Sequence, residues 1–157
     1  MNSAVQLIDV YPYRYSGSEL QFLLLKRSKG RIYEGQWRMV GGKVQAGEKR
    51  SQAAFRELVE EVDVTPVVFW AVPAVNHFYD LQTDSFMMVA AFAAELPAFC
   101  AVKLNHEHED YCWVNETDAG KMLIWPEQIK MTGYISDILK KKPLPETWII
   151  SNHDQQN

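Results

Sequence analysis

The chain has 157 residues, 47% of them hydrophobic and 23% charged, which describes one globular domain with room for its own core and requires no second. A formal net charge of −4 and a pI near 5.6 argue against a protein whose main task is gripping a nucleic-acid polymer, because that backbone needs a basic surface. A small anionic substrate stays compatible with this charge, provided that cations screen it.

The N-terminal "MNSAVQLIDVYPYRY" lacks the charged and then apolar layout of an export signal. Residues 4–14 ("AVQLIDVYPYR") and 19–27 ("ELQFLLLKR") are rich in apolar and β-branched residues and flank the turn-like "YSGS", which predicts a hairpin. The polar, glycine-bearing "SKGRIYEGQW" reads as a loop. After the stretch 41–62, which holds a probable helix, "TPVVFWAVPAV" and "SFMMVAAFAAEL" read as two buried strands separated by a "NHFYDLQTD" loop. The longest apolar run is broken by Glu95 and Pro97, so no membrane span is expected.

"EDYCWVN" predicts a further short strand. "WPEQIKMTGYISDILKKK" predicts a helix, with Pro126 suited to its first turn and Lys140, Lys141 and Lys142 suited to its C-terminal dipole. The two cysteines, Cys100 and Cys112, have neither disulfide-framework nor zinc-site spacing, so reduced thiols and a cytoplasmic location are expected. Residues 1–150 are taken as the domain and 151–157 as a flexible tail. Trp148, Ile149 and Ile150 could dock on the body or on a second subunit of a homodimer.

The residues that carry chemistry lie in "GGKVQAGEKRSQAAFRELVEEV", residues 41–62. On a helix Glu57, Glu60 and Glu61 share an arc of roughly 100°, while Phe55, Leu58 and Val62 form an apolar stripe beside them. Carboxylates at i, i+3 and i+4 repel unless a cation neutralises them or one takes a proton. Oxygen ligands unaccompanied by Cys or His favour Mg2+ or Mn2+ over zinc, and magnesium commonly accompanies phosphate-bearing substrates. A plain solvated acidic face is the competing account of such a cluster.

Gly42, Glu48, Arg56-Glu57-Leu58, Glu60-Glu61 and Val64 follow the pattern G-x5-E-x7-R-E-U-x-E-E-x-G-U, where U is aliphatic. This resembles the Nudix box. One departure is Asp63 in place of the last glycine, at a helix end where a left-handed residue is wanted; Asp can adopt that conformation at some cost. Lys49 is a poor N-cap, and Ser51 is the alternative.

The resemblance implies an α/β/α sandwich around a mixed sheet, and metal-assisted attack of water on phosphorus in a nucleoside diphosphate-linked compound. It implies metal ligands at Glu57, Glu60 and Glu61, with the Gly41 carbonyl as a further one, and makes Arg56 an orienting partner of Glu57 or Glu48. "NHEHEDYCWVN" is similar to the E-H-x-x-Y-x-W segment of nucleoside triphosphate pyrophosphatases in that family. Glu107 is therefore the candidate for an extra ligand or general base, with Glu60 and Glu61 as competitors. Zinc at His106 and His108 lacks a third ligand at recognisable spacing.

For substrate contact the candidates are Tyr33, Trp37, Phe78 and Tyr79, which could stack a base, and Arg27, which could meet phosphates. Lys29 and Arg31 offer further positive charge. Residues 74–86 contain no proline of the kind that marks ADP-ribose members. The expected activity is hydrolysis of a nucleoside triphosphate, such as dATP, oxidised dGTP or dihydroneopterin triphosphate, releasing pyrophosphate. The alternatives are a GDP-mannose type hydrolase, suggested by "HFYD", and a non-catalytic nucleotide sensor.

Overall fold

The computed structural model describes residues 5–141 and 143–151. Strand β1 (Val5–Ser16) turns through Gly17, at φ 61°, into β2 (Glu19–Arg27), and the two pair antiparallel from Tyr13↔Phe22 to Ser16↔Glu19. The expected hairpin is there, but it uses only the C-terminal third of β1. The N-terminal part of that same edge pairs with β4 (Val40–Lys43), from Leu7↔Lys43 to Val10↔Val40. The opposite edge of β1 runs parallel to β6 (Ser85–Glu95), which pairs antiparallel with β5 (Val68–Asp80). Strands β3 (Trp37–Arg38) and β7 (His108–Val114) pair with β2, completing a mixed seven-stranded sheet.

Side chains alternate across a strand, so β1 and β2 feed two cores at once. Ile8, Val10, Leu23 and Leu25 pack on one face with Ala53, Ala54, Leu58 and Val62 of α1 (Arg50–Val62). Tyr11, Tyr13, Phe22 and Leu24 pack on the other, with Ala119 of α2 (Glu116–Met122) and Met131, Ile135 and Leu139 of α3 (Pro126–Lys140). The four consecutive residues Phe22–Leu25 are fully buried because both faces are covered. The result is the α/β/α sandwich with a mixed sheet that the resemblance implied.

Two local features differ from the sequence reading, and a third decides between alternatives that it left open. Strand β5 continues through His77, Phe78 and Tyr79 to Asp80 instead of ending before them, since the ladder to β6 persists through His77↔Met88 and Phe78↔Met87. Helix α2 was not foreseen, although its cap is legible in "NETD": Asn115 Oδ1 accepts the Asp118 amide at 2.8 Å. The closing apolar residues dock on the chain itself. Trp148 stacks on Trp70 at 6.4 Å, and the Ile150 amide donates to the Phe69 carbonyl at 2.8 Å.

Pro126 does stand at the start of α3, as expected. Lys142 and residues 152–157 of the expected tail lie outside the described residues. Cys100 and Cys112 are both free thiols. Among the described residues no helix is long and apolar enough to cross a membrane.

Candidate active site

Helix α1 is held at both ends by local chemistry. The Gln52 side chain accepts the Lys49 amide at 2.8 Å, so Lys49 rather than Ser51 is the N-cap residue. At the other end Asp63 sits at φ 54°, ψ 41°, and its amide donates to the Val59 carbonyl at 3.0 Å. Asp63 thus fills the left-handed position itself, at the steric cost that glycine would avoid.

The paired glycines of β4 are explained by what lies over each. A Cβ on Gly42 would fall within the Glu57 carboxyl group, and one on Gly41 would come to 2.7 Å from Asp9 Oδ1. Bare backbone here lets a carboxylate approach the sheet from each side. The Gly41 amide donates to Glu61 Oε2 at 3.2 Å, which ties α1 to β4 through its most buried acid.

Arg56 organises the acidic edge. Its Nε and Nη2 donate to the two oxygens of Glu48 at 2.8 and 3.0 Å, its Nη1 donates to Glu57 Oε1 at 2.8 Å, and Nη2 also reaches the Lys43 carbonyl at 3.2 Å. Such a fork fixes Glu57 in one orientation. The guanidinium also draws Glu60 aside, at 3.4 Å, leaving that carboxylate half exposed.

Glu57, Glu61 and Glu107 converge, each offering an oxygen within 4.8 Å of the others. Glu107 arrives from the loop before β7, where Asn105 Oδ1 accepts its amide at 3.0 Å and Asn105 Nδ2 donates to its carboxylate at 3.3 Å. The Ser28 amide, just after β2, donates to the Glu107 carbonyl at 3.0 Å. Glu61 is 1% exposed, and burial, followed by the charges of Glu107 and Glu57, holds its carboxyl well above the ordinary range. Glu57 is also shifted up, chiefly by burial. A hard divalent cation suits this oxygen-only set, because it would relieve the desolvation and repulsion that raise both groups.

His108, buried beneath the cluster, places Nδ1 3.4 Å from Glu61 Oε1 without forming a hydrogen bond. Burial, aided by nearby Arg27, lowers its pKa to about 4, so the imidazole is neutral and leaves the acids uncompensated.

The three acids line a cavity of about 710 Å3. Its walls include Arg27, Tyr33, Arg38, Asn76, Phe78, His108, Trp125, Gln128 and Asp9. The Trp125 ring meets Tyr33 edge-on at 5.4 Å and Phe78 at 6.0 Å. The Arg38 guanidinium lies 4.6 Å above the Tyr33 ring and 5.7 Å from that of Trp125. Tyr33 adopts φ 65°, a left-handed backbone that costs energy for tyrosine and turns up at functional sites.

Among the substrate candidates, then, Tyr33, Phe78 and Arg27 border the cavity, whereas Trp37 and Tyr79 do not. Trp37 packs with the α2 and α3 core. Tyr79 is half exposed, against Phe86, with its hydroxyl on Asp84 at 2.9 Å. Asp9, Arg38, Asn76, Trp125 and Gln128 were missed, and His108 was weighed only as a zinc ligand. Trp125 and Gln128 share the start of α3, and the others come from separate elements with no shared spacing. The one sequence signal was Asp9, the single acid of β1, set between the apolar Ile8 and Val10.

Residues 8–134 match the model of the NUDIX domain. The chain belongs to the NUDIX family. A relative from Escherichia coli strain SE11, the nucleoside triphosphatase NudI, is 30% identical over 105 residues, covering 62% of this chain and 74% of the relative. Among solved structures, the Caenorhabditis elegans Ap4A hydrolase superposes with a TM-score of 0.75 at 26% identity, covering 87% of this chain and 98% of that one. The Escherichia coli dihydroneopterin triphosphate pyrophosphohydrolase, at 21% identity and TM-score 0.69, covers 85% of this chain and 97% of its own. This last likeness speaks for the fold alone. The protein is a Nudix hydrolase, and α1 with its preceding loop is its Nudix box.

Proposed function

We propose that this Nudix hydrolase cleaves nucleoside triphosphates at a phosphoanhydride bond, with a divalent cation, releasing pyrophosphate and a nucleoside monophosphate in the cytoplasm. The observation that carries this reading is the cavity itself: its lining combines three carboxylates with the aromatic rings of Tyr33, Phe78 and Trp125, which suits a molecule that carries both phosphates and a flat base. The naming of the NudI relative as a nucleoside triphosphatase supports the same class.

In this reading Glu57 and Glu61 hold the cation, which when bound would screen the phosphates and acidify the attacking water. Arg56 keeps Glu57 aimed, and the Gly41 amide keeps Glu61 aimed. Glu107, pinned by Asn105, accepts the proton of the attacking water. Arg27, at the cavity wall near the acids, faces the phosphates.

Two measurements test this. Purified protein incubated with a nucleoside triphosphate panel should release pyrophosphate with Mg2+ or Mn2+ and fall silent in excess EDTA; full activity in EDTA overturns the metal assignment. Glu107→Gln should lower turnover at least about tenfold with an unchanged unfolding midpoint. Glu109→Gln, whose carboxylate only meets Lys26 at 3.7 Å near the surface, should change little. Equal and small effects at the two positions would return the base to α1.

A further inference from the structure

Beside its aromatic rings the cavity's lining holds polar atoms that the hydrolytic chemistry does not use. Gln128 is 4% exposed and Asn76 is 8% exposed; Gln128 Oε1 lacks a hydrogen-bond partner, and Asn76 Nδ2 sits beside the buried Tyr11 hydroxyl without closing a well-formed bond to it. Arg38 Nε and Trp125 Nε1 are likewise buried without partners. Each such group left dry is a cost, and with His108 Nδ1 five of the residues that line this cavity carry one, which points to a bound molecule that satisfies them.

Their pattern restricts the ligand. Gln128 Nε2 donates to Asp9 Oδ2 at 3.2 Å. That bond uses the amide's nitrogen and leaves Gln128 Oε1 an unpartnered acceptor beside the Asp9 carboxyl group, and both residues line the cavity. The other free groups, on Asn76, Arg38 and Trp125, are donors. A base that answers this set needs two neighbouring N–H donors on one edge and a carbonyl oxygen beside them. Guanine has that edge, in N1–H, N2–H2 and O6; adenine, cytosine and uracil each lack the adjacent pair of ring and exocyclic donors.

We infer that Asp9, Gln128 and Asn76 form a guanine-reading subsite, with Asp9 and Gln128 taking N1–H and N2–H2, and Asn76 donating to O6. Trp125 lies at the same wall as a stacking surface for the base. This deepens the nucleoside triphosphate reading and rests on it.

The test compares kcat/KM for GTP, ITP, XTP and ATP in Mg2+ at pH 8. GTP should exceed ATP by about tenfold or more, and ITP, which lacks the 2-amino group, should fall between them. Asp9→Asn converts an acceptor to an amide that can donate, so it should lower GTP and raise XTP, whose C2 carbonyl replaces the amino group. Gln128→Met should shrink the GTP to ATP ratio at least about threefold, and serves if Asp9→Asn does not fold. Equal kcat/KM across the four bases in the native protein overturns the subsite while leaving triphosphate hydrolysis standing. So does a uniform loss across all four in both variants. No hydrolysis of any of the four nucleotides would instead sink the reading on which it rests.

Discussion

Glu61→Gln should abolish turnover, by about a thousandfold or more, while leaving the metal-free protein at least as stable as the native one. The reason lies in where Glu61 sits. It is 1% exposed and surrounded by two further carboxylates and a neutral imidazole, so in the absence of a cation its charge is a liability to the fold. Glutamine keeps the volume and can still accept the Gly41 amide, but carries no charge to repel Glu57 and Glu107. Activity with Mg2+ and thermal unfolding in EDTA, measured side by side, should move in opposite directions. Near-normal turnover would show that the site is wrongly assigned; a large drop in the EDTA unfolding midpoint would show that Glu61 holds the fold by some other route.

The second large effect is expected at a residue without a side chain. Gly42→Val should reduce turnover by about a hundredfold or more and lower the unfolding midpoint, because its side chain would occupy the volume of the Glu57 carboxyl group. Either Glu57 rotates off its Arg56 partner or α1 lifts from β4, and both displace a carboxylate from the cluster. Gly120→Ala is the control. Its new Cβ would meet only Ile129 Cγ2 at 3.8 Å, an ordinary contact, and within α2 alanine is the better helix former, by about 0.5–1 kcal/mol. It should keep full activity and gain a little stability. If Gly42→Val retained more than half of the native turnover, the close seating of α1 on β4 would not matter to catalysis.

What could be read in the sequence was what repeats at a local period. Alternation marked β1 and β2, and the wheel of α1 separated Leu58 and Val62 from Glu57 and Glu61. The same wheel placed Glu60 with the other acids. Its true direction depends on Arg56, four residues earlier on the helix and already committed to Glu48, and no periodicity encodes that competition. Glu107 was reachable only through the neighbouring His108, Tyr111 and Trp113. Of the base end only Tyr33 and Phe78 were legible, as aromatic candidates. Asp9, Asn76 and Gln128 stand on β1, β5 and α3, and only the tertiary fold brings three such distant positions to one wall.

The parallel seam between β1 and β6 joins Val5 to Met87 and Tyr13 to Glu95, residues some eighty positions apart. In folding terms this puts the slowest closure at the centre of the sheet, because a long intervening loop must be ordered before that seam returns any contact energy. During synthesis, α1 leaves the ribosome before β6 exists. The helix that carries the acids must therefore wait, amphipathic and half-partnered, on a sheet that is still open along its middle. Its hold on β4 through Gly42 and the Gly41 amide can form early, since those residues lie only 15 to 20 positions from Glu57 and Glu61. The seat of Glu57 and Glu61 on β4 is thus the local part of the fold, while Glu107, from the loop before β7, and the base-reading wall, which needs β5 and α3, join it later.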